Sequence, residues 1–184
     1  MDNAIIKWNH IKTENEIKKL HNSFSFHDSI IKEIRYISGS YVDENMSMQC
    51  LNTLNRLYVL MQSQWENHAV IELCFEELKE LDLKPVLQDD NMSVLFGATL
   101  FINKQKDIEF LTCDDYAPED EEFKKMYEFK NVSYIKAKKC KWRTLDKAIG
   151  PNQVYIDTAT ATPVDNPDIE KSDRFSRSAP QIIE

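Results

Sequence analysis

Three side chains that could form a catalytic triad stand side by side in this sequence: His27, Asp28 and Ser29. A Ser-His-Asp mechanism needs a hydroxyl, an imidazole and a carboxylate joined in a hydrogen-bonded line. Adjacent residues of a strand point to opposite faces, and in a turn their ends usually diverge. We therefore expect a structural role, in which Asp28 and Ser29 satisfy backbone groups and His27 packs against Phe24 or Phe26. No catalytic residue is predicted.

A competing hypothesis is a small enzyme or ligand-binding domain that uses His27 and Asp28. It requires a concave pocket at these two residues, with the His27 side chain partly exposed and its proton affinity shifted.

A second candidate is an acidic stretch that contains aromatic residues. A calcium loop would place acids at alternate positions around a central glycine, and this stretch has neither feature. It fits either a solvated loop before a short helix, or an acidic surface with aromatic anchors for a basic protein. The residues predicted to contact such a partner are Asp114, Asp115, Tyr116, Glu119, Asp120 and Glu122.

The overall charge disfavours nucleic acid as a partner. The chain carries 31 acidic and 23 basic residues, a formal net charge of −8, which repels phosphate backbones. A basic stripe near residue 140 opposes this trend, and we interpret it as protection of an exposed sheet edge or as a solvated face. Its residues are Lys136, Lys138, Lys139, Lys141 and Arg143.

Metal and cofactor sites are not predicted. The four cysteines are widely separated and form no CxxC pair, so we expect buried, reduced thiols. Only three glycines occur in the 184 residues, which excludes a glycine-rich phosphate loop. No apolar run is long enough to span a bilayer, and the N-terminus does not resemble a signal peptide. These features favour a cytoplasmic protein without a membrane partner.

The elements that must position these residues follow from periodicity. Thr13 and Glu16 fit a capping box, and the apolar spacing behind them predicts a helix from about 14 to 23. Period-two patterns predict a strand over 30–37, two hairpins and a last strand near 132–142. The predicted fold is therefore α+β. It is a curved antiparallel sheet of about six strands with the N-terminal helix packed on one face.

Composition divides the chain into two parts. Residues 1–145 form the predicted single domain. Residues 146–184 are predicted to be an edge segment followed by a flexible tail, because they are rich in Pro, Ser, Thr and Asp and poor in large apolar side chains.

The segment Phe26-His27-Asp28-Ser29-Ile30-Ile31, with apolar stretches at 56–60 and 70–75, resembles a group of uncharacterised bacterial proteins. Their shared pattern is a helix, an F-H-D-S-x-I stretch and later strands. It is similar in style to immunity proteins of bacterial toxin systems, notably immunity protein 50. The resemblance transfers no catalytic residues and implies that the motif is structural.

Three functional hypotheses follow. The leading one is a cytoplasmic protein-binding module, an immunity protein that neutralises a basic toxin by occlusion. The second is the enzyme or ligand-binding domain at His27 and Asp28. The third is a structural or regulatory module whose tail folds on binding a partner. No oligomeric state is predicted.

Overall fold

The computed structural model describes residues 7–51, 53–64, 69–84, 94–113 and 132–155. By its contacts the chain divides into two compact units, Met1–Asn152 and Gln153–Glu184. Of the second unit only residues 153–155 are described. The regular elements that the structure describes lie in the first unit. They are β1 (Asn9–Ile11), α1 (Glu14–Ser23), β2 (Ser29–Ile37), β3 (Tyr41–Val42), β4 (Met48–Gln49), β5 (Arg56–Ser63), β6 (Val70–Asp82), β7 (Thr99–Ile102), β8 (Ile108–Leu111), β9 (Tyr134–Thr144) and a 3-10 turn (Asp146–Ala148).

The predicted helix is confirmed, and its ends have clear chemical causes. Glu16 accepts hydrogen bonds from the backbone N–H groups of Lys12 and Thr13, at 2.7 and 2.8 Å, which completes the capping box. The helix ends where the Phe24 N–H donates to the Leu20 carbonyl. Its buried side, Ile17 and Leu20, follows the predicted spacing.

The main sheet is antiparallel and has seven strands in the order β2-β5-β6-β9-β8-β7, with β1 paired to β9. The registers place β6 along one side of β9, so β8 and β1 share its other side. Both predicted hairpins are confirmed, as β5–β6 and β7–β8. The strands β3 and β4 form a separate two-stranded hairpin.

The finer description of the fold needs two corrections. The sheet is not curled or closed: β2 and β7 end an open path, and one isolated bridge joins Ser29 to Leu95. The helix contacts chiefly β1 and β7, and it is not packed on one face in the way predicted. Periodicity shows which side of a strand is apolar, but it does not show which strands become neighbours. The three-residue strand β1, which pairs with β9 just before the helix begins, was also missed.

The larger of two apolar clusters joins the helix to the central strands. Alternate residues of the central strands enter it, as the period-two pattern predicted, and each fully buried aliphatic or aromatic side chain contributes roughly 1.5–3 kcal/mol. Its central members are Leu57, Val59, Met61, Ile71, Leu73, Phe75, Phe110 and Ile135, joined by Ile17, Leu20, Phe24 and Phe26 from the helix and the turn after it.

Within the described ranges, none of the helices has the length and apolar character needed to cross a membrane.

Candidate functional site

The turn between α1 and β2 carries the sequence motif. Asp28 has a φ of +55°, in the left-handed region that residues other than glycine seldom adopt. The buried Ser29 hydroxyl donates to the Phe26 carbonyl oxygen at 2.6 Å. Ser29 therefore satisfies a backbone group, as predicted, although that group is a carbonyl. Because its hydroxyl is buried and engaged, Ser29 is not placed to act as a nucleophile beside His27.

The expectation that the His27 and Asp28 side chains diverge is wrong. His27 Nδ1 lies 2.9 Å from Asp28 Oδ2, and the two side chains are 59% and 26% exposed. The reason is local: these residues belong to a turn, and the left-handed backbone at Asp28 brings the carboxylate back to the imidazole. His21 and Phe24 both pack edge-on against Phe26, with ring centroids 5.3 and 5.4 Å away.

An open concavity of about 310 Å³ adjoins this turn. His27 lines this concavity, and its Nδ1 atom is held by Asp28. Burial lowers the pKa of His21 below its ordinary value of 6.5, which favours the neutral ring. The lining residues are His21, Phe24, Ser25, Phe26, His27, Phe96, Gly97 and Ala98.

Metal coordination finds no support in the part of the chain that the structure describes. In these ranges no group of three or more His, Cys, Asp or Glu side chains could hold an ion. Cys74 and Cys140 are buried, reduced thiols, as predicted, whereas Cys50 is exposed.

The predicted acidic surface cannot be placed. Its residues, Asp114, Asp115, Tyr116, Glu119, Asp120 and Glu122, all lie outside the described residues.

The basic stripe does not protect an edge, so that alternative is wrong, whereas the alternative of a solvated face agrees with the exposure of Lys138 and Lys139. Strand β9 has neighbours on both sides, and its cations meet the acids of β6. We call this row of cross-strand pairs the charge ladder. Its pairs are Arg143–Glu72 at 2.6 Å, Lys141–Glu76 at 2.8 Å, Lys139–Glu77 at 2.5 Å and Lys136–Glu80 at 3.3 Å.

One end of the charge ladder is buried. Glu72 is 1% exposed, and Arg143 donates from Nε to its carboxylate while stacking 4.4 Å from the centre of the Trp8 ring. Arg143 is therefore held by charge and by cation–π attraction together. Since these cations already have acidic partners, the stripe no longer argues for nucleic-acid binding.

An exposed apolar hairpin is the feature that sequence reasoning missed. We use the name apolar hairpin for β3, β4 and their turn, which present Tyr41, Val42, Met46 and Met48 to solvent. The side chains of Met46 and Met48 are 82% and 81% exposed. The sequence showed only a polar interval with scattered methionines. The overlooked signal was Asp43 with Asn45 and Ser47 close behind it, residue types that are typical of a tight turn.

Hydrogen bonds to one aspartate hold the turn of the apolar hairpin. Asp43 Oδ1 accepts from the backbone N–H groups of Asn45 and Ser47 at 3.0 and 2.9 Å. Its Oδ2 accepts from the Gln49 side-chain amide at 2.9 Å. These bonds lower the pKa of Asp43, the bond from Ser47 most strongly. The two methionines therefore lie on an ordered turn.

Comparison with known proteins gives no relative. No protein-family model matches the chain, and neither the curated proteins nor the solved structures yield a match.

Proposed function

We propose that this protein is a cytoplasmic protein-binding module that presents the apolar hairpin to its partner. The observation that carries the proposal is the exposure of Met46 and Met48 on a turn organised by Asp43. Contiguous exposed apolar side chains are uncommon on monomeric proteins and usually mark interaction sites.

The chemistry of the apolar hairpin suits recognition. Methionine is flexible and polarizable, and it is used at surfaces that must fit a partner closely. Burying each methionine would contribute roughly 1.5–3 kcal/mol before the costs of association. Because Asp43 and Gln49 already order the turn, less conformational entropy is lost on binding.

A basic toxin is the partner class that we propose. The net charge of −8 favours encounter with a cationic protein, and the resemblance to immunity proteins points the same way. The protein would act by occlusion, with the apolar hairpin supplying buried area. The acidic residues Asp114, Asp115, Glu119, Asp120 and Glu122 would supply electrostatic attraction, and Tyr116 would be an aromatic anchor.

The hairpin role is tested by affinity capture from the native cell extract with the purified protein. The double variant Met46→Asp/Met48→Asp should lose the captured partner, because it places charge where apolar surface must be buried. Lys18→Glu, an exposed helix position, changes the net charge by the same −2 and should retain it. A partner retained equally by all three proteins excludes the apolar hairpin as the contact.

The acidic contribution is tested separately. Replacing Asp114, Asp115, Asp120 and Glu122 with lysine should lower the affinity for the captured partner at low salt. At high salt, where charges are screened, this difference from the wild-type protein should disappear. An affinity unchanged at low salt removes these acids from the interface.

A second candidate function rests on the 2.9 Å pair of His27 and Asp28 beside the concavity. In it, the chain binds a small molecule in that concavity, next to the His27–Asp28 pair. An NMR screen of a fragment library should find compounds that shift the ring signals of His27 and Phe96 in the wild-type protein. Those shifts should disappear in Asp28→Asn, which loses the carboxylate partner, and persist in the control His10→Ala. A library in which no compound shifts the His27 signals argues against this function.

A further inference from the structure

Two methionines of the apolar hairpin are open to reagents in solution. Met46 and Met48 are 82% and 81% exposed, whereas Met61, the other methionine that the structure describes, is 0% exposed in the core. Met48 lies directly across the hairpin from Val42, which is also exposed. An exposed thioether is a common target of oxidants, because a small peroxide can reach the sulfur while the protein stays folded. Burial protects Met61 from the same reagent.

The turn that holds these methionines does not depend on their side chains. The Met46 backbone N–H donates to the Asp43 carbonyl at 3.0 Å, and the φ of Met46 is +60°. The turn between β7 and β8 is built in the same way around Asn103, whose Oδ1 accepts from two backbone N–H groups at 2.9 Å each. There the left-handed position is Lys106, with a φ of +64°. A lysine and a methionine occupy equivalent places in the two turns, so a change at the end of the Met46 side chain should leave the turn intact.

Oxidation changes the surface that the apolar hairpin presents. A methionine sulfoxide is polar and chiral, whereas the thioether is apolar. The sulfoxide oxygen accepts hydrogen bonds from water, and these bonds are lost when the surface is buried against an apolar partner. Oxidising both sulfurs therefore weakens an apolar contact in the same direction as the double variant Met46→Asp/Met48→Asp.

We propose that Met46 and Met48 form an oxidative modification site, and that their conversion to sulfoxides by peroxide weakens the contact made by the apolar hairpin. In each reaction a lone pair of the sulfur attacks a peroxide oxygen, the S–O bond forms and the O–O bond breaks. The sulfur is oxidised by two electrons, and the other peroxide oxygen leaves with both hydrogens as water. Methionine sulfoxide reductases reverse the change: a dithiol is oxidised to a disulfide, and the sulfoxide oxygen leaves as water.

The two parts of this inference have different foundations. The modification site needs no partner, since it depends only on exposure and on the turn. The weakened contact rests on the proposed function, so it is measured separately.

The modification site is tested by treating the full chain with hydrogen peroxide and following each methionine by peptide mass spectrometry. Met46 and Met48 should each gain one oxygen at least about tenfold faster than Met61, since oxidation follows exposure. In urea this difference should disappear. Circular dichroism and thermal unfolding of the oxidised protein should match those of the untreated protein. Equal rates for the three methionines in the folded protein, or oxidation of the hairpin that unfolds the chain, would overturn the proposal.

The change in surface is tested against the control Met46→Leu/Met48→Leu, which keeps apolar side chains of similar volume but has no sulfur at these positions. Peroxide should shorten the retention of the wild-type protein on a hydrophobic-interaction column and leave that of the control unchanged. The control also reports any effect of peroxide on the exposed Cys50 thiol. An equal shift in both proteins would place the effect outside the two methionines.

Affinity capture from the native cell extract separates this inference from the proposed function. The oxidised wild-type protein should lose the partner, treatment with the reductases and a dithiol should restore it, and the oxidised leucine control should keep it. If Met46→Asp/Met48→Asp loses the partner but the oxidised protein keeps it, the proposed function stands and the weakened contact is overturned. If both keep the partner, or the untreated protein captures none, the proposed function and the weakened contact fail together. The modification site is then judged by mass spectrometry alone.

Discussion

At the scale of single residues, the most demanding position is Glu72. A carboxylate that is 1% exposed needs a charged partner, and Arg143 supplies one at 2.6 Å. Removing one member of a buried pair is costly, because the other charge remains in a medium that solvates it poorly. At the far end of the charge ladder, Glu80 is 54% exposed and pairs with Lys136 in contact with water. Ion pairs of the same kind therefore contribute different amounts to stability along one strand.

We predict that Glu72→Gln lowers the free energy of unfolding by about 2 to 4 kcal/mol, since Arg143 keeps its charge without a carboxylate. Glu80→Gln removes the same charge from the exposed end and should cost less than about 1 kcal/mol. Urea unfolding monitored by tryptophan fluorescence measures both. Equal losses in the two variants would mean that burial does not set the strength of the charge ladder.

At the scale of elements, the position of the apolar hairpin depends on the connection that joins it to the sheet. Gly39 lies between β2 and β3 with a φ of +76°. A Cβ atom built there would approach the Leu54 Cβ atom to 2.6 Å and the Leu54 carbonyl carbon to 2.9 Å. Real Cβ atoms do not tolerate such distances. The connection before β3 therefore packs directly on the backbone that follows β4.

We predict that Gly39→Ala destabilises the protein by about 1 to 3 kcal/mol, through backbone strain and displacement of Leu54. Gly150→Ala is the matched control: its φ is +100°, but an added Cβ meets nothing within 4 Å. Urea unfolding, with hydrogen exchange over residues 39–51, measures both effects. Faster exchange in Gly39→Ala alone would locate the damage at the hairpin, and equal behaviour of the two variants would contradict the contact.

Local elements were predictable from the sequence because their causes are local. The capping box of Thr13 and Glu16 and the alternation of β5 and β6 each lie within a few residues. Long-range pairing was not predictable in this way. The basic residues of β9 were interpreted as protecting an edge or as a solvated face, because the sequence does not show that the acids of β6 lie beside them.

The candidate site was less predictable than the fold. The pairing of His27 with Asp28 depends on one positive φ, which the residue types do not reveal. The exposure of Met46 and Met48 depends on how the rest of the chain packs around them. Composition suggests burial for methionine, so the opposite result required coordinates.

At the scale of the whole molecule, two buried ionisable side chains of the central strands affect how the stability of the protein changes at high pH. Burial raises the pKa of Tyr58 to about 12 and that of Cys74 to about 12. Their ordinary values are 10.0 and 9.0. Both groups are therefore neutral in the folded protein at a pH where the unfolded chain has begun to ionise. The stability that they contribute is complete below the ordinary values and is lost as pH rises toward 12.

We predict that the free energy of unfolding falls as pH rises from 9 toward 12, with part of the slope due to Cys74 and Tyr58. Cys74→Ala and Tyr58→Phe should each flatten the curve, because neither replacement can ionise. Urea midpoints measured across this pH range provide the check. Curves parallel to that of the wild-type protein in both variants would show that the two groups do not govern the alkaline limit.

The position of β9 in the chain has a consequence for biosynthesis. Three segments that precede it, β1, β6 and β8, all bond to it, yet β9 is made last among the described strands. The ribosome adds about 5–20 residues per second, so the early strands wait several seconds for their common neighbour. During that interval the growing polypeptide exposes apolar side chains and unpaired backbone. Assistance from a chaperone would matter most just before Tyr134–Thr144 emerges.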